Sequence, residues 1–108
     1  MNTIATSRVE GLRRTFVSKI IGGFEVNGWK LAYIFDGEAY VYPKNLREAV
    51  DEVMSVEEAS VVFDKEGKKA WVLVIPSNDE DLVTDHTDIQ EVRDVIDPII
   101  EWAEQLSW

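Results

Sequence analysis

Cysteine is absent from this chain of 108 residues. That absence removes disulfides, thiolate zinc sites, iron–sulfur clusters and a thiol nucleophile together. Long apolar runs are missing as well. The longest, Trp71 to Pro76, is far too short to span a bilayer. The opening residues, Met1 to Arg8, lack a charged segment followed by an apolar one, so no signal peptide is expected. A cytoplasmic location without membrane contact is the expectation. No glycine-rich phosphate loop occurs: Gly22-Gly23 reads as a helix stop, and Gly67 belongs to a hairpin turn. Histidine occurs once, and no G-x-S-x-G or H-E-x-x-H motif accompanies it. An enzyme is therefore not expected, and no cofactor is implied.

What is present is acid, unevenly placed. Asp79 to Trp108 hold ten acids against Arg93 alone, which is −9 of the total formal charge of −10. Residues 1–47 run the other way, with seven bases against four acids. Direct nucleic-acid binding is disfavoured, because phosphate contact needs a basic face. A basic protein partner is compatible with such a charge. An acidic face serving solubility alone is the plainer account.

Apolar periodicity sketches the elements. Val9, Leu12, Phe16, Val17 and Ile20 recur at helical steps, predicting a helix over 8–21 with a Ser7/Glu10 capping box. Asn27-Gly28 and Asp36-Gly37 then stand between apolar runs, as type I′ hairpin turns do, so residues 24–42 read as a three-stranded meander. Asn45 and Glu48 cap a short amphipathic helix over 46–54. A second hairpin pairs 60–63 with 70–75. The run 70–75 is apolar at both alternating sets of positions, as in a strand covered on both faces. Helices on both sides of the sheet are therefore expected. Residues 77–87 form an acidic connection, and Thr87 with Gln90 caps a final helix. The predicted class is a single α+β domain over 1–108, of order α-β-β-β-α-β-β-α. Its antiparallel sheet has four to five strands from two hairpins, and its amphipathic C-terminal helix is kinked at Pro98.

On that last helix Ile89, Val92, Val95, Ile96, Ile99, Ile100, Ala103 and Leu106 share one arc. Glu91, Asp94, Asp97, Glu101 and Glu104 share the opposite one. Neighbouring acids stand roughly 5–6 Å apart at Cβ, where like charges repel. A solvated face usually mixes signs, so this row is either paired with bases of the first helix or a docking surface. Its sharpest form would be an imitation of nucleic-acid phosphates, used to inhibit a nucleic-acid-handling protein. We take Glu91, Asp94, Asp97, Glu101, Glu104 and the terminal Trp108 as candidate partner-binding residues. The alternative is a structural or self-associating module, such as a homodimer. A second alternative is an enzyme or metal centre around His86, which lies between Asp85 and Asp88. Two aromatic rows complete the inventory: Trp29, Tyr33 and Phe35 on one strand, Tyr40 and Tyr42 on the next. A row facing solvent would be a platform for a protein ligand.

Overall fold

The computed structural model describes residues 3–77 and 82–105, with side chains from Glu10 onward. Its elements are α1 (Thr3–Val26), β1 (Lys30–Phe35), β2 (Tyr40–Val41), α2 (Leu46–Ser55), β3 (Ala59–Lys65), β4 (Lys68–Val74), β5 (Val83–His86) and α3 (Gln90–Glu104). The five strands form one antiparallel sheet in the order β2-β1-β3-β4-β5. The α+β class and the antiparallel sheet are as the sequence predicts. Two elements differ from expectation.

First, α1 runs straight through Gly22-Gly23, and residues 24–26 are its last turn rather than a strand. Tertiary packing overrides the glycines' poor helix propensity. Phe16, Val17, Ile20, Ile21 and Phe24 are all at most 3% exposed and extend the apolar stripe past the glycine pair. Gly23 also has a packing role. A Cβ there would lie 3.2 Å from Val95 Cγ1 and 3.3 Å from Ile99 Cδ1, so its bare Cα lets α3 come close. Ser7 lies inside α1, which begins before the expected cap.

Asn27-Gly28 is consequently a helix end, not a hairpin. Gly28 takes φ +89°. Its N–H donates to Glu25 O at 3.1 Å, and Trp29 N–H donates to Phe24 O at 2.9 Å. These two bonds make a Schellman cap, and the Trp29 ring packs edge-on to Phe24 as its apolar clasp. One left-handed glycine serves a helix cap as well as a type I′ turn, which is why the dipeptide misleads. The type I′ hairpin of this fold is Glu66-Gly67, at φ +50° and +83°, joining β3 to β4.

Second, the acidic connection contains β5. Val83, Asp85 and His86 pair with Val74, Leu73 and Val72 of β4. Thr87 continues this edge instead of capping α3: its N–H donates to Trp71 O, and its hydroxyl accepts from Trp71 N–H at 2.8 Å. The N-cap of α3 is Ile89, without a side-chain bond. Asn45 does cap α2, accepting from Glu48 N–H at 2.9 Å, while the Glu48 carboxylate accepts from Lys44 N–H. α3 runs unbroken through Pro98 as one helix.

All three helices contribute to one buried core, and they meet the same set of strand residues: Ile34, Ala59, Val61, Phe63, Ala70, Val72, Val74 and Val83. These alternate along the strands, so they define one face of the sheet. The expectation of helices on both faces is therefore corrected. Among the described residues no element covers the other face.

The glycines offer a clean contrast. A Cβ at Gly22 would meet nothing within 4 Å. Gly22→Ala is expected to stabilise the fold by about 0.5–1 kcal/mol, the ordinary helix gain of alanine over glycine. Gly23→Ala should gain nothing, or lose stability, because Val95 and Ile99 stand in the way. Equal gains in urea titrations of the two variants would contradict this packing.

Candidate functional site

The acidic row on α3 divides once its neighbours are seen. Glu91 lies beside the β3–β4 hairpin, 2.7 Å from Lys68 Nζ and 3.4 Å from Lys65 Nζ. Hydrogen bonds from Lys68 first, then Lys65, hold its carboxyl below the ordinary glutamate range. Glu91 in turn pushes the Lys68 ammonium above the ordinary lysine value. Glu91 thus staples α3 to the sheet. The sign of its pH effect follows from linkage. A depressed carboxylate stabilises the fold above its unfolded pKa, and that contribution is lost as pH falls through the lower folded value. Glu91→Gln should therefore melt below wild type near pH 7. The gap should close on acidification below the carboxylate range. A gap independent of pH would assign Glu91 a packing role only.

The rest of the row is different. Asp94, Asp97, Glu101 and Glu104 are exposed on the side of α3 away from the core. Asp94 accepts a hydrogen bond from Gln90 at 2.6 Å. No base among the described residues stands within ion-pair distance of these four. The described bases of α1 are engaged by other groups. Arg13 lies 3.9 Å from Glu10, Arg14 is 2.6 Å from Asp51 of α2, and Lys19 sits 4.8 Å over the Trp102 ring. Arg93 pairs with Asp88. Trp108 lies outside the described residues.

Between α1 and α2 runs an open groove of about 950 Å³. Its rim carries Arg14, Lys19 and Arg47, and its wall includes Val26, which is 88% exposed, and Leu46. Three positive residues of the N-terminal half therefore gather on the helix layer.

His86 sits on β5 with Nδ1 2.9 Å from Thr87 O, and Asp85 Oδ1 accepts from His86 N–H. The Asp85 carboxylate thus accepts from the His86 backbone, while the ring Nδ1 lies against Thr87 O. No group of three or more His, Asp or Glu able to hold a metal occurs among the described residues. A pair of carboxylates not anticipated from sequence is Asp36 with Glu52. Backbone N–H groups of Ala39 and then Glu38 lower the Asp36 carboxyl, whereas burial and then Asp36 raise that of Glu52. The β1–β2 loop and α2 bring them together across a gap no spacing rule reveals.

The helix-free face of the sheet carries a cluster of aromatic side chains. Register places Tyr33, Phe35 and Tyr40 on it with Val62, Trp71 and Leu73. Tyr40 is 60% exposed, Tyr42 70% and Trp71 39%. Tyr33 packs against Tyr40 at 5.2 Å and Tyr42 at 6.2 Å, and Phe35 lies 4.9 Å from Tyr40. Against this geometry the known proteins are silent. No protein-family model, curated protein or solved structure matches the chain.

One aromatic row is corrected. Trp29 does not share a side with Tyr33 and Phe35, because a bulge between Leu31 and Tyr33 shifts the alternation. Trp29 is 2% exposed and belongs to the core. The open face itself had a signal in the sequence: strand 70–75 is apolar on both sides, yet the described residues cover only one of them. No helix among the described residues is long and apolar enough to cross a membrane.

Proposed function

We propose that this chain is a small non-enzymatic binding protein that engages a basic protein partner through the outer face of α3. One observation carries the reading: Asp94, Asp97, Glu101 and Glu104 stand exposed on one helix face with no base among the described residues within ion-pair distance. Four like charges so placed repel one another by a few tenths of a kcal/mol per pair, a cost that a cationic partner would relieve. Their field also speeds encounter with such a partner. In its sharpest form the row stands in for phosphates and blocks a nucleic-acid-handling protein. The match is loose, since one DNA strand carries a charge every ~3.4 Å and these carboxylates stand roughly 5–6 Å apart. Glu91 leaves the binding set in this reading, because its carboxylate already holds α3 to the hairpin.

The triple variant Asp94→Lys, Glu101→Lys, Glu104→Lys tests it. Affinity capture from the native host should lose its basic partner with this variant, while circular dichroism and melting stay close to wild type. Binding to the wild type should weaken steeply with added salt. Capture that survives both the reversal and high salt would remove α3 from the interface. The second reading, a self-associating module, is favoured by a separate observation, the open aromatic face.

A further inference from the structure

We propose that the helix-free face of the sheet is the contact surface of a homodimer, two copies packing sheet against sheet about a twofold axis. The inference is independent of what α3 binds.

Apolar pattern and exposure carry it first. β4 offers Ala70, Val72 and Val74 to the core and Trp71 and Leu73 to the other side. That second set is completed by Tyr33, Phe35, Tyr40 and Tyr42, and no described element lies on it. An apolar patch of this size, within the ~300–600 Å² of a typical largest patch, is often an interaction site. The sequence is thus written for a strand covered twice, and the described residues supply one cover.

Charge selects the occupant. The chain carries −10 overall. On the open face, however, Lys30 and Lys69 balance Asp64 and Asp85, and Lys69 is paired to Asp64 at 2.8 Å. A strongly charged partner finds little to read there. A second copy does not meet its own acidic ridge there, because α3 lies on the far side of the sheet. Packed sheets stand ~10 Å apart and each helix layer adds ~10 Å, so the two ridges end roughly 30 Å or more apart. The Debye length in physiological salt is ~8 Å, so their repulsion is screened. Association through the helix layers would bring the ridges close.

Shape agrees. β3 is the middle strand, and Ser60 on it lies in register between Phe35 and Leu73. A twofold axis through the centre of the face would bring the two Ser60 positions opposite each other, with Phe35 and Leu73 of each copy beside them. Five strands at ~4.8 Å and ~3.3 Å per residue give a face of roughly 400 Å² in projection, small beside the ~800 Å² per partner of a standard interface. A weak dimer is expected, half-formed only at about 100 μM.

Sedimentation equilibrium from low micromolar to near-millimolar concentration tests it. The wild type should rise from the 12.3 kDa chain mass towards twice that value. Added salt should leave the dimer unchanged or strengthen it. The double variant Tyr42→Lys, Trp71→Lys should stay monomeric and folded, whereas Asp94→Lys, Glu101→Lys should dimerise like wild type. Because the chain has no cysteine, single sites can be cross-linked cleanly. A bis-maleimide spanning ~10 Å, the spacing of packed sheets, should join Ser60→Cys chains and not Asp97→Cys chains. A wild type monomeric at every concentration would overturn the proposal. So would a dimer that persists in the Tyr42/Trp71 variant, dissociates in salt, or cross-links at position 97 instead of 60.

Discussion

Phe24→Ala is expected to remove most of this fold's stability, about 3–5 kcal/mol. The ring is fully buried. It stacks on Phe63 of β3 with centroids 4.2 Å apart and planes at 10°. It also meets Trp29 edge-on at 5.9 Å. Three segments lose a partner at once: the end of α1, its Schellman cap, and the middle strand. Truncation opens a cavity that a sheet and a helix cannot easily close. Small domains are stable by only about 5–15 kcal/mol in total. For a domain of this size each kcal/mol lowers the melting temperature by roughly 4–8 °C, so a fall of about 15–30 °C is expected. Phe24→Leu keeps much of the volume and should lose about half as much. Urea unfolding followed by circular dichroism measures both. A loss under about 1 kcal/mol for the alanine variant would mean that this stack is not the keystone of the core.

Val61→Asp should unfold the protein at neutral pH and partly rescue it in acid. Val61 lies on the middle strand between Ile34 and Val72, and all three are fully buried. No charged or polar residue is buried among the described residues, so a carboxylate there has no partner. Burial raises such a group's pKa by up to about 3–5 units, which at pH 7 costs about 4 kcal/mol in ionisation alone, since a group raised above 7 stays protonated there. The sign is opposite to that of Glu91. Here the folded pKa lies above the unfolded value. The penalty is absent below the unfolded carboxylate pKa, grows as pH rises through it, and levels off above the folded pKa. Wild type loses stability on acidification as the lowered Glu91 and Asp36 carboxyls take protons. The variant should move the other way over the same range. Ser60→Asp, one residue earlier and on the opposite face, should cost under about 1 kcal/mol. Melting curves at several pH values decide the matter. Equal losses at 60 and 61, or no recovery in acid, would refute the assignment of faces.

Much of this architecture was legible in the residues. The apolar stripes of α1 and α3, the Asn45 cap and the β3–β4 hairpin follow from periodicity and turn chemistry. The errors share a cause, in that each local signal had two physical uses. A left-handed glycine after Asn27 ends a helix as readily as it turns a hairpin, and only the packing of Phe24 on Phe63 decides. Thr87 had a hydroxyl suited to capping, yet the sheet edge took it through Trp71. Val83 to His86 are too short and too acidic to read as a strand until β4 lies beside them. For the candidate site, helical spacing put Asp94, Asp97, Glu101 and Glu104 on one face. It could not show that Glu91 would meet Lys65 and Lys68, which are distant in sequence. The bulge after Leu31 is likewise invisible to strict alternation, and it separates Trp29 from Tyr33.

The ends of the sheet limit what this molecule can join. β2 on one margin is two residues long, and Pro43 soon after it has no N–H to donate. β5 on the other margin has four residues, with Thr84 and Asp85 exposed. Neither margin offers the long, flat row of free backbone groups that templates another strand. Growth by strand addition into a fibre is therefore closed at both sides. The faces are the routes left open, and contact through a single self-complementary face would stop at two.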